Sequence, residues 1–220
     1  MEHLDNSIKF PDNRNYEYAY NQSFQLASEK LAKMEDLVAQ CRKSGACCEA
    51  VEGKNVITLP YLNNTYRITV PEITFSIPGS NEEIPIRDRI LILHYLLTAK
   101  GTPLSNKQIT FKELPEGIVY FRTFYQRTIK HIVTAFSQNP AKLIEAGEKL
   151  GGGKADFGDA AVTINALPRV PITFVVWRGD EEFGAEGNVL YDSTITDYLP
   201  VEDIIVLSEV VTWKLVRGNK

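Results

Sequence analysis

Apolar residues recur at Tyr20, Phe24, Ala27, Leu31, Met34, Val38 and Cys41. Spacings of three and four predict one amphipathic helix from about Tyr16 to Gly45. Residues 1–15 ahead of it are polar and read as a flexible arm. The period then changes. Val56–Leu59, Thr65–Val70 and Glu72–Ile77 are rich in β-branched and aromatic residues, with prolines at 60, 71 and 78 and a turn at Asn63–Asn64. Residues 46–80 are therefore expected to form an antiparallel β-meander. Pro85 opens a helix over Ile86–Ala99 that Gly101 closes. Its centre, Ile90–Leu97, is apolar nearly all round, as in a helix covered on several sides.

A short strand over Gln108–Phe111 precedes a long helix from Glu116 to Ser137, striped by Phe121, Tyr125, Ile129, Ile132 and Phe136. Pro140 starts a shorter helix that ends at Gly151–Gly153. Ala160–Ala166 alternates weakly, Ile172–Trp177 is continuously apolar and Asn188–Tyr191 is short, a pattern of three strands. Ser193 is placed to cap a helical turn through Tyr198. Pro200, with Glu202 and Asp203 in the first turn and Lys214 and Arg217 near the end, frames a C-terminal helix whose charges suit its dipole. Strands and helices are segregated, which predicts an α+β fold: a mixed or antiparallel sheet packed against several helices in a single domain over residues 16–220.

Composition narrows the function classes. A net charge of −4 argues against broad nucleic-acid binding, which needs a surplus of cations on one face. No run of about 18 apolar residues is present to span a membrane. The first residues lack the apolar stretch of a secretory signal, so the sequon Asn63–Thr65 is expected to be idle. Cys41, Cys47 and Cys48 are odd in number and two are adjacent, which points to a reducing cytoplasm and away from a disulfide framework.

The densest polar chemistry follows the apolar run at Ile172–Trp177, where Arg178, Asp180, Glu181 and Glu182 enter a glycine-bounded loop. Trp177 and Arg178 suit a planar, anionic ligand, and the carboxylates suit a hard cation, although they lack the spacing of a calcium loop. His94 lies among leucines, where a hydrogen-bonded structural histidine is the plainer reading. Arg122, Arg127, Lys130 and His131 form a basic helix face. Cys41, Cys47 and Cys48 match neither zinc nor iron–sulfur spacing. Gly151–Lys154 lacks the earlier glycine and the following Ser or Thr of a phosphate loop. No Gly-x-Ser-x-Gly elbow is present, so the motif-level case for a serine hydrolase is empty.

Two ordered sets of residues resemble a known family. One is His94–Leu97, Gly101–Ser105 and Ile109–Pro115. The other is Leu167–Pro171, Trp177–Phe183, Val189–Asp192 and Tyr198–Asp203. Together they resemble the prokaryotic domain-of-unknown-function family numbered 3786, over roughly residues 50–210. Members occur mainly in anaerobes, and many carry an N-terminal iron–sulfur domain. This chain departs there, with a helix and no cluster motif. The resemblance implies no established activity and no agreed active-site residues.

Its company with iron–sulfur domains makes a corrinoid (a cobalamin) or another tetrapyrrole the first expected ligand. The leading expectation is a non-catalytic binding protein with His94, Arg122, Trp177, Arg178 and Asp180 near the pocket. Two alternatives stand beside it. One is an interaction module that docks on a redox or methyl-transfer protein partner through an exposed apolar patch near the N-terminal helix or Tyr16–Tyr20. The other is an enzyme in which at least two of His94, Asp180 and Glu182 converge as acid and base.

Overall fold

The computed structural model describes residues 13–219. Most of the expected N-terminal arm, residues 1–12, lies outside them. The described part of that arm is already helical, since α1 runs from Asn13 to Ala32. It is followed by α2 (Leu37–Ser44) and a meander of β1 (Cys47–Val51), β2 (Lys54–Tyr61), β3 (Asn64–Val70) and β4 (Thr74–Ser76). Next come α3 (Ile86–Thr98), β5 (Gln108–Thr110), α4 (Gly117–Arg127), α5 (Ile129–Phe136) and α6 (Ala141–Glu148). The chain continues through β6 (Gly153–Ala155), β7 (Ala160–Leu167), β8 (Val170–Trp177) and β9 (Glu186–Asp192) to α7 (Val201–Gly218). One sheet has the order β1-β2-β3-β4 and the other β5-β9-β8-β7-β6, every pairing antiparallel. The fold is α+β.

The meander contains one strand more than the alternation suggested, because Cys47–Val51 is largely exposed and carries no apolar period. Its central hairpin pairs Tyr61 with Asn64 and turns on Leu62 and Asn63. Both have positive φ (47° and 64°), as the right-handed twist of the flanking strands requires. Leu62 N–H also donates to Ala166 O (3.1 Å), joining the small sheet to β7.

Two expected long helices are each broken. The Tyr16–Gly45 stripe divides because the Asp36 carboxylate accepts from Ala39 N–H (2.9 Å) and caps a new helix. The interruption shifts the buried face: Leu37 and Cys41 point inward, whereas Val38, expected on the stripe, is 47% exposed. The Glu116–Ser137 helix breaks at Thr128, whose hydroxyl donates to Phe124 O (2.6 Å) and whose ψ is −81°. Behind the break α5 packs on β8 and β9, burying Ile129, Ile132 and Phe136. Ahead of it, α4 leaves Ile118 and Val119 exposed (77% and 78%).

The core justifies two other readings of the pattern. Ile90–Leu93, Tyr95 and Leu96 of α3 are all buried, and Ile172–Val176 of β8 is buried on both faces. Gln40 fastens α2 to the end of α3 by donating to Leu96 O and Ala99 O at 2.8 and 2.9 Å, satisfying carbonyls the helix leaves free. Contrary to expectation, Ser193 does not cap the turn after β9. Asp192 organises it, accepting from Thr194 N–H and hydroxyl, Ser105 N–H and hydroxyl, and Asn106 N–H at 2.7–3.1 Å. Burial opposes ionisation of Asp192, but the bonds from Thr194 and Ser105 outweigh it and hold the carboxyl below its ordinary range.

Candidate functional site

The strand end and the interior of the helical layer divide the candidate residues between them. At the tip of β8, Trp177 is 38% exposed and its indole rests against the loop carrying Gly158. A Cβ on Gly158 would sit 2.7 Å from Val176 O and 2.8 Å from a Val175 methyl, at a φ of +54°. Only glycine allows this approach. The same loop is stitched down by Asp159 N–H to Val176 O (3.0 Å) and Arg178 N–H to Asp159 Oδ2 (2.7 Å).

Asp180 closes its own turn. Its Oδ1 accepts from Phe183 N–H (2.7 Å) and Glu182 N–H (2.9 Å), and those two donors, Phe183 first, hold its carboxyl below the ordinary range. Arg178, Glu181, Glu182 and Phe183 are exposed. Among the described residues, no group of three His, Cys, Asp or Glu side chains is placed to hold a metal ion. Beside the loop, a groove of about 550 Å³ runs along Glu186–Asn188 between Phe121, Tyr125 and Lys112. It follows the edge of β9 that β5 leaves uncovered, because β5 pairs only with Leu190–Asp192. Arg122 is exposed on α4.

His94 belongs to a different place. Arg87, Ile90, Leu91 and His94 lie at helical spacing on one side of α3, facing α1 and α7 across a cleft of about 250 Å³. Asp203 enters from the first turn of α7, where the helix dipole favours a carboxylate. Its Oδ2 lies 2.7 Å from His94 Nδ1. A carboxylate only accepts, so Nδ1 carries a proton, and in the neutral ring Nε2 is the acceptor. Nε2 faces Ser23 Oγ of α1 at 3.4 Å. Arg87 lines the same cleft, donates from Nη2 to Glu209 Oε2 at 3.0 Å and keeps a buried Nε–H with no partner among the described residues.

Of the five residues singled out in the sequence, the structure places Trp177, Arg178 and Asp180 at one strand end, Arg122 on α4 and His94 in the helical cleft. His94 is brought together with Asp203 and Ser23, not with Asp180 or Glu182. The one sequence signal for Ser23 is weak: a hydroxyl on the same stripe as Tyr20 and Ala27. Asp203 was visible only as a helix-terminal charge. The three cysteines are free thiols at the α2–β1 junction, and burial pushes Cys41 up to about 12.

Among the described residues, no helix is long and apolar enough to cross a membrane. The chain matches no curated protein and no solved structure. A family model described as a domain of unknown function, DUF3786, matches residues 36–213, from the cap of α2 into the last turns of α7. The match takes in both sheets, His94 and Asp203 and leaves α1 outside, and on that coverage this chain belongs to the DUF3786 family.

Proposed function

We propose that this protein binds a cofactor-like ligand at the cleft beneath α1, with His94 as the group that meets it. The observation that carries this reading is the fixed imidazole. Asp203 holds Nδ1, which turns the lone pair of Nε2 into the cleft. An imidazole oriented in this way by a carboxylate is suited to ligate a metal centre from one side. A corrinoid or another tetrapyrrole is the first ligand class to test, with His94 as axial donor. The cleft holds about 250 Å³, less than a whole macrocycle, so only part of such a ligand would enter it beside His94. Above it α1 packs along α3, burying Ala27 and Leu31, with Phe24 resting on Phe75 and Arg89. Arg122, Trp177, Arg178 and Asp180 would then serve a contact surface distinct from the axial position.

Titrating the purified chain with hydroxocobalamin and with haemin tests the reading. A shift of the ligand's visible absorption bands is expected, and His94→Ala is expected to abolish it. Absence of any band shift or rise in Tm with both ligands rejects the proposal.

A second reading has its own observation. The edge of β9 at Glu186–Val189 that β5 does not pair, beside Phe121 and Tyr125 in the groove, suits an extended segment of a protein partner such as a redox or methyl-transfer protein. It lies away from the Tyr16–Tyr20 region expected to form a docking patch, although Tyr18 is also exposed. Loss of a stoichiometric native complex on Asn188→Pro, with the fold retained, is the expected result.

A further inference from the structure

We infer that Ser23, His94 and Asp203 form a nucleophilic relay that takes a short acyl group from an ester onto Ser23. The inference rests on the reading that the His94 cleft is the working site, and it requires no cofactor. The three side chains come from α1, α3 and α7, separated by 71 and 109 positions in the chain, and stand in the order hydroxyl, imidazole, carboxylate. Asp203 is 8% exposed and fixes the tautomer and the ring plane. Nε2 is then the acceptor for the Ser23 proton. The resting separation of 3.4 Å is long, as such contacts commonly are before substrate compresses them.

Two further features belong to the same place. Arg87 lines the cleft beside its ion pair with Glu209 (3.0 Å), which places a guanidinium next to the carbonyl that Ser23 would attack. The walls contributed by Ala19, Ile90, Leu91 and Val206 are aliphatic, and a cleft of about 250 Å³ suits a small acyl chain.

The chemistry balances without an outside reagent other than water. Ser23 Oγ attacks the ester carbonyl carbon as its proton passes to His94 Nε2, and the carbonyl oxygen takes the negative charge beside Arg87. Collapse breaks the bond to the leaving oxygen, which receives the proton from His94 and departs as an alcohol. Water, giving a proton to Nε2, then attacks the acyl-serine. Release of the carboxylic acid returns that proton to Oγ. Ser23 and His94 are the catalytic residues; Asp203 is a positioning residue.

The test uses the full chain, an alkyl fluorophosphonate probe and intact mass spectrometry, with p-nitrophenyl acetate as the ester. One adduct mapping to Ser23 is expected, absent in Ser23→Ala with Tm unchanged. Labelling is expected to slow on the order of 100-fold in His94→Gln. In Asp203→Asn the pH profile of labelling is expected to shift as well as the rate, which a merely structural role would not produce. A folded chain that is unlabelled at Ser23, or that labels equally fast in His94→Gln, overturns the relay. The two failures are distinguishable: silence towards hydroxocobalamin rejects axial ligation and leaves labelling expected, whereas silence towards the fluorophosphonate rejects the relay and leaves axial ligation expected.

Discussion

The tip of β8 and the cleft between α1, α3 and α7 make opposite use of their carboxylates. At the tip, Asp180 and its neighbours are adjacent in sequence and exposed, and Asp180 satisfies backbone donors of its own turn. In the cleft, Asp203 is buried beside a histidine 109 positions away. Density of polar residues along a chain therefore says little about density of chemistry in space. A short polar loop satisfies itself because its own N–H groups are the nearest donors, and water supplies the rest. A buried acid has no such recourse and must find a partner from another element.

This contrast can be broken in three ways. The largest effect is expected from Gly158→Ala, which forces the loop at 156–159 off β8. It should cost about 3 kcal/mol in urea unfolding and raise the accessibility of Trp177 to fluorescence quenchers. If stability is unchanged, the tip is not supported by that loop. Next, Asp203→Ala strands the His94 Nδ1–H and should lower stability by about 2 kcal/mol, whereas Asp180→Ala should leave the unfolding midpoint unchanged and only speed amide exchange at Glu182 and Phe183. Equal destabilisation by the two would erase the distinction.

The smallest effect concerns Asp192, a third acid, buried at the far end of β9. Its folded value lies below its ordinary one near about 4, so its ionised form contributes stability at higher pH that is lost as pH falls through the folded value. The stability difference between the wild type and Asp192→Asn should therefore narrow below about pH 4. A constant difference across that range would mean that its bonds to Ser105 and Thr194 are made equally well by a neutral side chain.

Much of the fold was legible beforehand, and the failures have particular causes. The all-round apolar centre of α3 and the continuous run of β8 read correctly because each is buried on every side, so any tertiary arrangement gives the same pattern. The breaks at Asp36 and Thr128 were invisible to periodicity. Each is made by a side-chain oxygen that captures one backbone group, and the apolar spacing in the sequence runs on across such a site even where the buried face behind it has shifted. β1 was missed because an exposed strand needs no apolar alternation. His94 was singled out without a partner, since neither Ser23 nor Asp203 lies near it in the chain.

By itself the sequence determined the class of fold, the meander, the two central apolar elements and the family to which the chain belongs. Those follow from burial periods and from local residue order, which a linear chain records directly. Tertiary structure alone decided where the helices break, which acids are buried, and that a hydroxyl, an imidazole and a carboxylate from three helices meet in one cleft. Such a meeting depends on how packed helices rotate and cross, and that geometry is set by the whole core.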